Sequence, residues 1–354
     1  MSTTETTKQG SSAGAVSQRI IAGGIVIAFC YWAAGLVITL LASVLLAYFA
    51  DPFVELLERY RVPRGVGSLI VVLLLLALLT GAVWVMVDRV NTFAEDWPKY
   101  RGVLASATEA VESRIAKFEA RFREIAPEEK GPRPVVLQDE SFSVRGLLWR
   151  GLGSLYTLLL LVTFVPFLVF FMLAAKSDVW HATMQLFPPT ERTQVKRTLE
   201  AVSGMLRSFI VGNLIVVSIV AVLSWIFFWV IGLDYPFLVG MVSGALNLVP
   251  YIGVVLAWVP PLVVGLTKYT SIWAFIGIAA MLSFFHLIAI NVLIPVLVGK
   301  KVHLSALAVT VALLFFGWLW GAMGFVLAIP ITATIKVICD HVAGWQPVGR
   351  WLGG

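Results

Sequence analysis

Charge is what this sequence has least of. Lys, Arg, Asp and Glu make up 13% of the 354 residues, against 59% apolar, where a soluble globular chain is about 25% charged. That imbalance excludes a water-soluble enzyme, a disordered chain and a coiled coil. Cysteine is almost missing too. Cys30 and Cys339 are the only two, with neither disulfide nor zinc spacing, which excludes a disulfide-stapled secreted domain. The four histidines, His181, His286, His303 and His341, are scattered without metal-ligand spacing, so no metal and no cofactor is expected. No Gly-Lys-Ser/Thr phosphate-binding loop is present, so the chain cannot power transport by ATP on its own. Gly10-Ser11-Ser12-Ala13-Gly14 has the spelling of a hydrolase elbow but lies in a polar tail with no strand-to-helix turn. No nucleophile–base pair stands in the apolar stretches, so the protein is not read as an enzyme.

What is present is long apolar sequence. Seven stretches contain no Asp, Glu, Lys or Arg: Ile20–Ala50, Gly65–Val87, Gly151–Ala175, Ser208–Leu233, Tyr235–Thr267, Tyr269–Gly299 and Leu304–Ile335. Each exceeds the roughly 18 residues that mark a membrane-spanning helix. Lipid solvates no backbone group, so each is expected to be helical where it meets lipid. The class is therefore an all-α integral membrane protein. Gly65–Val87, Gly151–Ala175 and Ser208–Leu233 suit one span each. Three longer stretches carry breakers and read as two shorter segments apiece: Ile20–Ala50 at Gly35; Tyr235–Thr267 at Asn247, Pro250 and Gly253, then Pro260–Pro261; Leu304–Ile335 at Gly317, Gly321 and Gly324, then Pro330. Tyr269–Gly299 reads as one long span interrupted only near its end, at Pro295.

Basic residues orient the chain. Arg59, Arg61 and Arg64, then Lys176 to Arg207, then Lys300 and Lys301, then Lys336 flank the stretches. Placing them in the cytoplasm puts both termini there, if Ile20–Ala50 crosses twice, and Asp88–Arg145 outside. The organisation that follows is a flexible tail (1–18), N-terminal transmembrane helices (19–87), an extramembrane helical insert (88–145), a transmembrane helix (146–175), a cytoplasmic helical segment (176–207), a C-terminal transmembrane bundle with broken helices (208–338) and a C-terminal tail (339–354). The apolar stretch after the first tail is too long for a cleavable signal peptide. In the insert, Val103, Ala107, Ala110, Val111, Ile115, Phe118 and Phe122 form one helical stripe. That helix could pack on the protein or lie on the membrane surface; a subunit contact, making a homo-oligomer, is the alternative. Pro188–Pro189 should start a helix near Thr190. The net charge of +6 suits contact with anionic lipid, and nothing in the pattern suggests a nucleic-acid groove.

Polar groups inside apolar stretches are costly and mark candidate paths. Asn247, Pro250, Tyr251 and Gly253 form the first constellation: proline frees a carbonyl, glycine permits a turn, and two side chains can bond a solute beside unwound backbone. A simple proline kink is the alternative. His286, with Asn291 and Pro295, is the second. It is the one ionisable side chain, cysteine and tyrosine aside, deep in any apolar stretch, and either relays protons or serves as a neutral interhelical partner. The third is Gly317-Trp318-Leu319-Trp320-Gly321-Ala322-Met323-Gly324 with Pro330, where Gly317 and Gly321 have small-xxx-small spacing; a tight turn with interfacial tryptophans is equally open. Asn213, between Ser208 and Ser218, is the fourth, as interhelical glue or a ligand.

Several of these segments occur together in a known family. Ala50-Asp51-Pro52-Phe53 follows a double apolar segment, Arg61-Val62-Pro63-Arg64 precedes the next span, a long polar helical insert follows, then come Asn247-Leu248-Val249-Pro250-Tyr251-Ile252-Gly253 and Trp320 to Pro330. In these features the chain resembles the autoinducer-2 exporter (AI-2E) family of bacterial inner-membrane transporters, over roughly residues 18 to 340. The resemblance implies about eight transmembrane helices, some broken or hairpin-like, and export of a small molecule; members are also linked to sodium/proton exchange. Gly212-Asn213 departs from the family, which often carries a glutamine nearby; if that group lines a path, the ligand differs from that of better-known members. The leading expectation is a multi-pass transporter or permease for a small polar solute such as a signalling molecule or metabolite, with paired hairpins at Pro250 and Gly321–Pro330 around the path. A sodium/proton antiporter using His286 is the second reading, weakened by the absence of Asp and Glu from the spans. A non-transporting membrane scaffold, with Asp88–Arg145 as its surface, is the third.

Overall fold

The computed structural model describes residues 17–18, 21–123, 162–247, 252–297, 304–342 and 344–353. Every regular element among them is helical. In chain order these are α1 (Ile21–Trp32), α2 (Ala34–Arg59), α3 (Arg64–Arg123), α4 (Val162–Ala174), α5 (Lys176–Gln185), α6 (Arg192–Val230), α7 (Pro236–Leu246), α8 (Ile252–Gly265), α9 (Ile272–Ile288), α10 (Ile294–Leu297), α11 (Ala306–Trp320), α12 (Ala322–His341) and α13 (Gln346–Gly353). Five helices are long and apolar enough to cross a membrane, six if α4 and α5, bent by 69° at Ala175, form one span. The fold is all-α, as composition and spacing predict.

Each doubled stretch breaks within a few residues of its predicted breaker. α1 and α2 part at Ala33, α7 and α8 around Asn247, and α11 and α12 at Gly321. Gly321 has φ +61 and ψ −135, a conformation that costs a residue with a Cβ several times more than glycine, so the turn needs no intervening loop. α8 passes through Pro260 and Pro261 without ending. The Tyr269–Gly299 stretch holds a feature that its sequence pattern does not announce. Ala289–Leu293 forms a π turn between α9 and α10. Pro295 has no N–H to return to the Asn291 carbonyl, and a wider turn also relieves the clash of its ring with that carbonyl.

Two helices run on where polar segments were expected as separate elements. α3 is 60 residues long, about 90 Å, and carries the apolar Gly65–Val87 stretch straight into the charged insert, with Pro98 inside it. α6 is 39 residues long and leads from the charged Arg192 turn into the apolar run. Of the expected stripe on α3, Ile115 is exposed; the stripe's other side chains lie outside the described ones, as does the insert beyond Arg123.

Contacts divide the chain into two units, Met1–Val72 with Tyr156–Ile210 and Lys301–Gly354, and Leu73–Leu155 with Val211–Lys300. In the first unit, Val202, Met205 and Leu206 of α6 pack on Ala333 of α12, and Ala312 and Leu313 of α11 pack on Ala328 of α12. Asp51, buried on α2, accepts from Arg64 at 2.8 Å and Lys176 at 2.5 Å, and Glu55 bridges Lys176 and Arg207 at 3.3 Å each. Arg64 Nε also donates to the Leu173 carbonyl at 2.8 Å, beside the bend at Ala175. In the second unit the core is Val216, Val220 and Phe228 of α6, Val239 of α7, Val264 of α8 and Ile278, Leu282 and Phe285 of α9, with Tyr100 of α3.

Candidate functional site

The broken helix at Asn247 lies in the second unit. α7 has 11 residues, about 16 Å, roughly half the hydrocarbon thickness of a bilayer. Both ends of the α7–α8 pair are tied to one place. Before α7, Tyr235 bonds the Asp96 carboxylate of α3. After α8, Tyr269 donates to the Ile231 carbonyl at 2.9 Å and Lys268 to the Gly232 carbonyl. The pair is therefore a helical hairpin that turns after Asn247. Phe93 seals its foot, 5.2 Å from the Tyr100 ring and 5.5 Å from the Tyr235 ring. Burial, then the Asp96 hydrogen bond and charge, push the Tyr235 phenol far above its ordinary pKa, and burial with Asp234 raises Tyr269.

Glycines seat the hairpin. Gly240 and Gly244, one turn apart on α7, face Trp225 and Ala221, one turn apart on α6. A Cβ on Gly240 would stand 2.6 Å from the Trp225 Cα, and one on Gly244 would overlap Ala221. At the tip, a Cβ on Gly253 would overlap the Leu246 carbonyl oxygen, so glycine lets α8 begin against the last turn of α7. Pro250 and Tyr251 lie outside the described residues.

Asn247 caps α7 and does two things. Its amide nitrogen donates to the Ser243 carbonyl at 3.0 Å, and its carbonyl oxygen stands 2.9 Å from Nδ1 of His286 on α9. The first bond assigns the amide's orientation, which leaves an oxygen facing the imidazole. An amide oxygen only accepts, so Nδ1 carries the hydrogen, and in the neutral ring Nε2 holds the free lone pair. The structure thus joins two residues that sequence placed in separate constellations. It does not join the others. Asn291, exposed in the π turn, donates to its own Leu287 carbonyl at 2.8 Å. Asn213 is half-buried on α6 and hydrogen-bonds no described residue. An apolar groove of about 550 Å³, walled by Phe227, Ile231, Tyr269, Gly277, Ile278 and Met281 among others, includes neither Asn247 nor His286.

The first unit holds a second hairpin, α11–α12. The start of α11 is tied to the segment after α12, because Ser305 N–H donates to the Leu352 carbonyl at 2.8 Å. Gly317 faces the Phe325 ring, where a Cβ would be 2.6 Å away, and a Cβ on Gly324 would overlap the Phe316 carbonyl oxygen. Pro330 is buried inside α12. Trp320 Nε1 donates to the Cys30 carbonyl of α1 at 2.9 Å, and Trp318 stacks on Tyr31 at 5.8 Å. The Gly317–Gly321 segment is thus both a close helix approach and a tight turn. Among the described residues, no group of three or more His, Cys, Asp or Glu could hold a metal ion.

Sequence reasoning missed Gly240 and Gly244, although their spacing is the same small-xxx-small signal noted at Gly317 and Gly321. It also missed Ser243 and the Tyr235–Asp96 contact, and quoted Asp51 only within the Ala50–Phe53 motif without a role; of the missed residues, only Ser243 and the glycines carried a local signal.

Comparison with known proteins gives a consistent result. A sequence profile described as AI-2E family transporter matches residues 20–344. The protein YrrI of Bacillus subtilis (strain 168) is 27% identical over 319 residues, covering 86% of each chain. The AI-2 transport protein TqsA of Escherichia coli (strain K12) is 24% identical over 337 residues, covering 94% of each. YhhT of the same strain is 26% identical over 335 residues, covering 93% of this chain and 91% of that one.

Proposed function

The chain belongs to the AI-2E transporter family, and from that premise we propose that it exports a small polar solute past the Asn247–His286 pair. One observation carries this reading. A helical hairpin breaks at a polar residue whose only cross-helix partner among the described residues is the one ionisable residue of α9. Asn247 and Nε2 of His286 bond the solute, Gly253 shapes the turn, and Pro250 and Tyr251 are assigned to the same path from the sequence. Driving force comes from an ion gradient or from the solute's own. Membership of this family supports a bacterial inner membrane, and the basic loops support both termini in the cytoplasm. Autoinducer-2, for which the relative TqsA is named, is one solute to test first.

The test is a metabolite comparison of cells with and without the protein, then uptake of the changed solute by everted vesicles. Asn247→Ala and His286→Ala proteins, inserted at wild-type levels, should lose most of that uptake. Wild-type rates in both would sink the site assignment.

A second reading, proton-coupled exchange, is favoured by the free Nε2, which can take a proton without breaking the Nδ1–H bond to Asn247. Everted vesicles report it as a pH change on adding sodium. No change, or an unchanged response in His286→Ala, counts against it.

A further inference from the structure

We propose that Ser243 is a positioning residue that sets the tautomer of His286 by supplying the hydrogen bond that Pro261 deletes from α8. This rests on the proposed role of the Asn247–His286 pair and deepens it. In a regular helix the Ala257 carbonyl would accept from the N–H of residue 261, but residue 261 is proline and has none. The freed carbonyl is deep in the protein, with Ala257 2% exposed. An unpaired acceptor there has no water to turn to.

Ser243 fills that vacancy from the neighbouring helix. Its hydroxyl donates to the Ala257 carbonyl at 2.9 Å, and its side chain is fully buried. This departs from what three other helical serines do. Ser43, Ser218 and Ser283 each bond the carbonyl four residues back in their own helix, the usual local solution. Ser243 instead crosses from α7 to α8. Its backbone carbonyl then receives the Asn247 amide, whose oxygen receives Nδ1–H of His286. A single polar chain therefore runs from α8 through α7 to α9, inside apolar surroundings.

The direction of each bond in this chain is forced. A proline-freed carbonyl accepts, the hydroxyl must donate to it, the Ser243 carbonyl accepts from the amide, and the amide oxygen accepts from the imidazole. Without the hydroxyl, the Ala257 carbonyl loses its donor and α7 loses its tie to α8 at the very residue whose own carbonyl holds the Asn247 amide. The amide then loses its fixed orientation and the imidazole its single tautomer.

The test reads the tautomer directly, by nitrogen NMR of ¹⁵N-histidine-labelled full-length protein in lipid, with His286 assigned by comparison with His286→Gln. In wild type the neutral ring should carry its hydrogen on Nδ1. Ser243→Ala should show both tautomers and lose transport by about tenfold, the scale of one unsatisfied buried acceptor. Ser243→Thr keeps the hydroxyl and should keep one tautomer. Pro261→Ala returns an N–H to α8, so the Ser243→Ala/Pro261→Ala double variant should recover the Nδ1–H form. A single Nδ1–H tautomer in a folded Ser243→Ala protein overturns the proposal, and so does a double variant no better ordered than the single one. If Ser243→Ala does not fold, the double variant and Ser243→Thr still decide. Because the tautomer is read without transport, failure of the transport reading (wild-type uptake in His286→Ala) remains distinguishable from failure of this one.

Discussion

The Nδ1 atom of His286 stands 2.9 Å from the side-chain oxygen of Asn247, across 39 residues of sequence. Losing either partner leaves a polar group in an apolar bundle. Interhelical hydrogen bonds in membranes are worth about 0.6 kcal/mol on average and up to about 1.7. The Asn247→Ala and His286→Ala proteins should therefore insert and melt within a few degrees of wild type, while their solute uptake falls far more. A double-mutant cycle on uptake should show that the two losses overlap rather than add. Additive losses would mean that the pair does not act as one group.

The seat of the α7–α8 hairpin makes a separate prediction. Gly244→Val should prevent α7 from docking on α6, because even a Cβ there overlaps Ala221. Overpacking of this kind costs about 1–3 kcal/mol, more where backbone is the neighbour. Gly277 on α9 has nothing within 4 Å of a Cβ, so Gly277→Ala should be neutral or stabilising by about 0.5–1 kcal/mol. Thermal unfolding in detergent, monitored by tryptophan fluorescence, should separate the two. Equal melting temperatures would remove close packing as the reason for Gly244.

The helical class, the helix break near Asn247 and the break at Gly321 were legible because lipid admits few structures and because Asn, Gly and Pro stand out in apolar sequence. The partnership of Asn247 with His286 was not legible. Nothing local in either residue's neighbourhood names a partner 39 positions away; only the packing of α8 against both α7 and α9 brings them together. The continuity of α3 was hidden for another reason. The switch from apolar to charged sequence at Asp88 marks a change of solvent, and a helix is indifferent to that. The π turn at Ala289–Leu293 was not legible either: Pro295 marked an interruption, but proline alone does not say whether a helix will end, kink or widen.

Asp51 anchors the charged cluster of the first unit. Its side chain is 9% exposed and holds both Arg64 and Lys176, whereas Glu55 is 37% exposed. Asp51→Ala should take the buried partner from Arg64 and Lys176, leaving them Glu58 and Glu55, and destabilise by about 2 kcal/mol, less than breaking a fully buried pair. Glu55→Ala should cost less than about 1 kcal/mol, since water screens its contacts. Thermal unfolding of the two variants checks the ranking; a Glu55→Ala protein less stable than Asp51→Ala would reverse it.

Tyr235 links the foot of the α7–α8 hairpin to α3, and its protonation sets the pH range over which that link holds. Its pKa is raised, first by burial and then by the Asp96 carboxylate that accepts its hydrogen bond. An acid whose pKa is higher folded than unfolded contributes stability that is fully present below the unfolded value, about 10 for a phenol. Above that, the unfolded chain releases the proton while the folded one keeps it, so stability falls as pH rises toward the folded value. Tyr235→Phe removes both the hydroxyl and this dependence. The melting temperatures of wild type and Tyr235→Phe should differ by a constant amount from neutral pH to about pH 9 and converge only above about pH 10, where the phenol begins to ionise in the unfolded chain. A difference that shrinks between pH 6 and 8 would show that a group other than Tyr235 controls the contact.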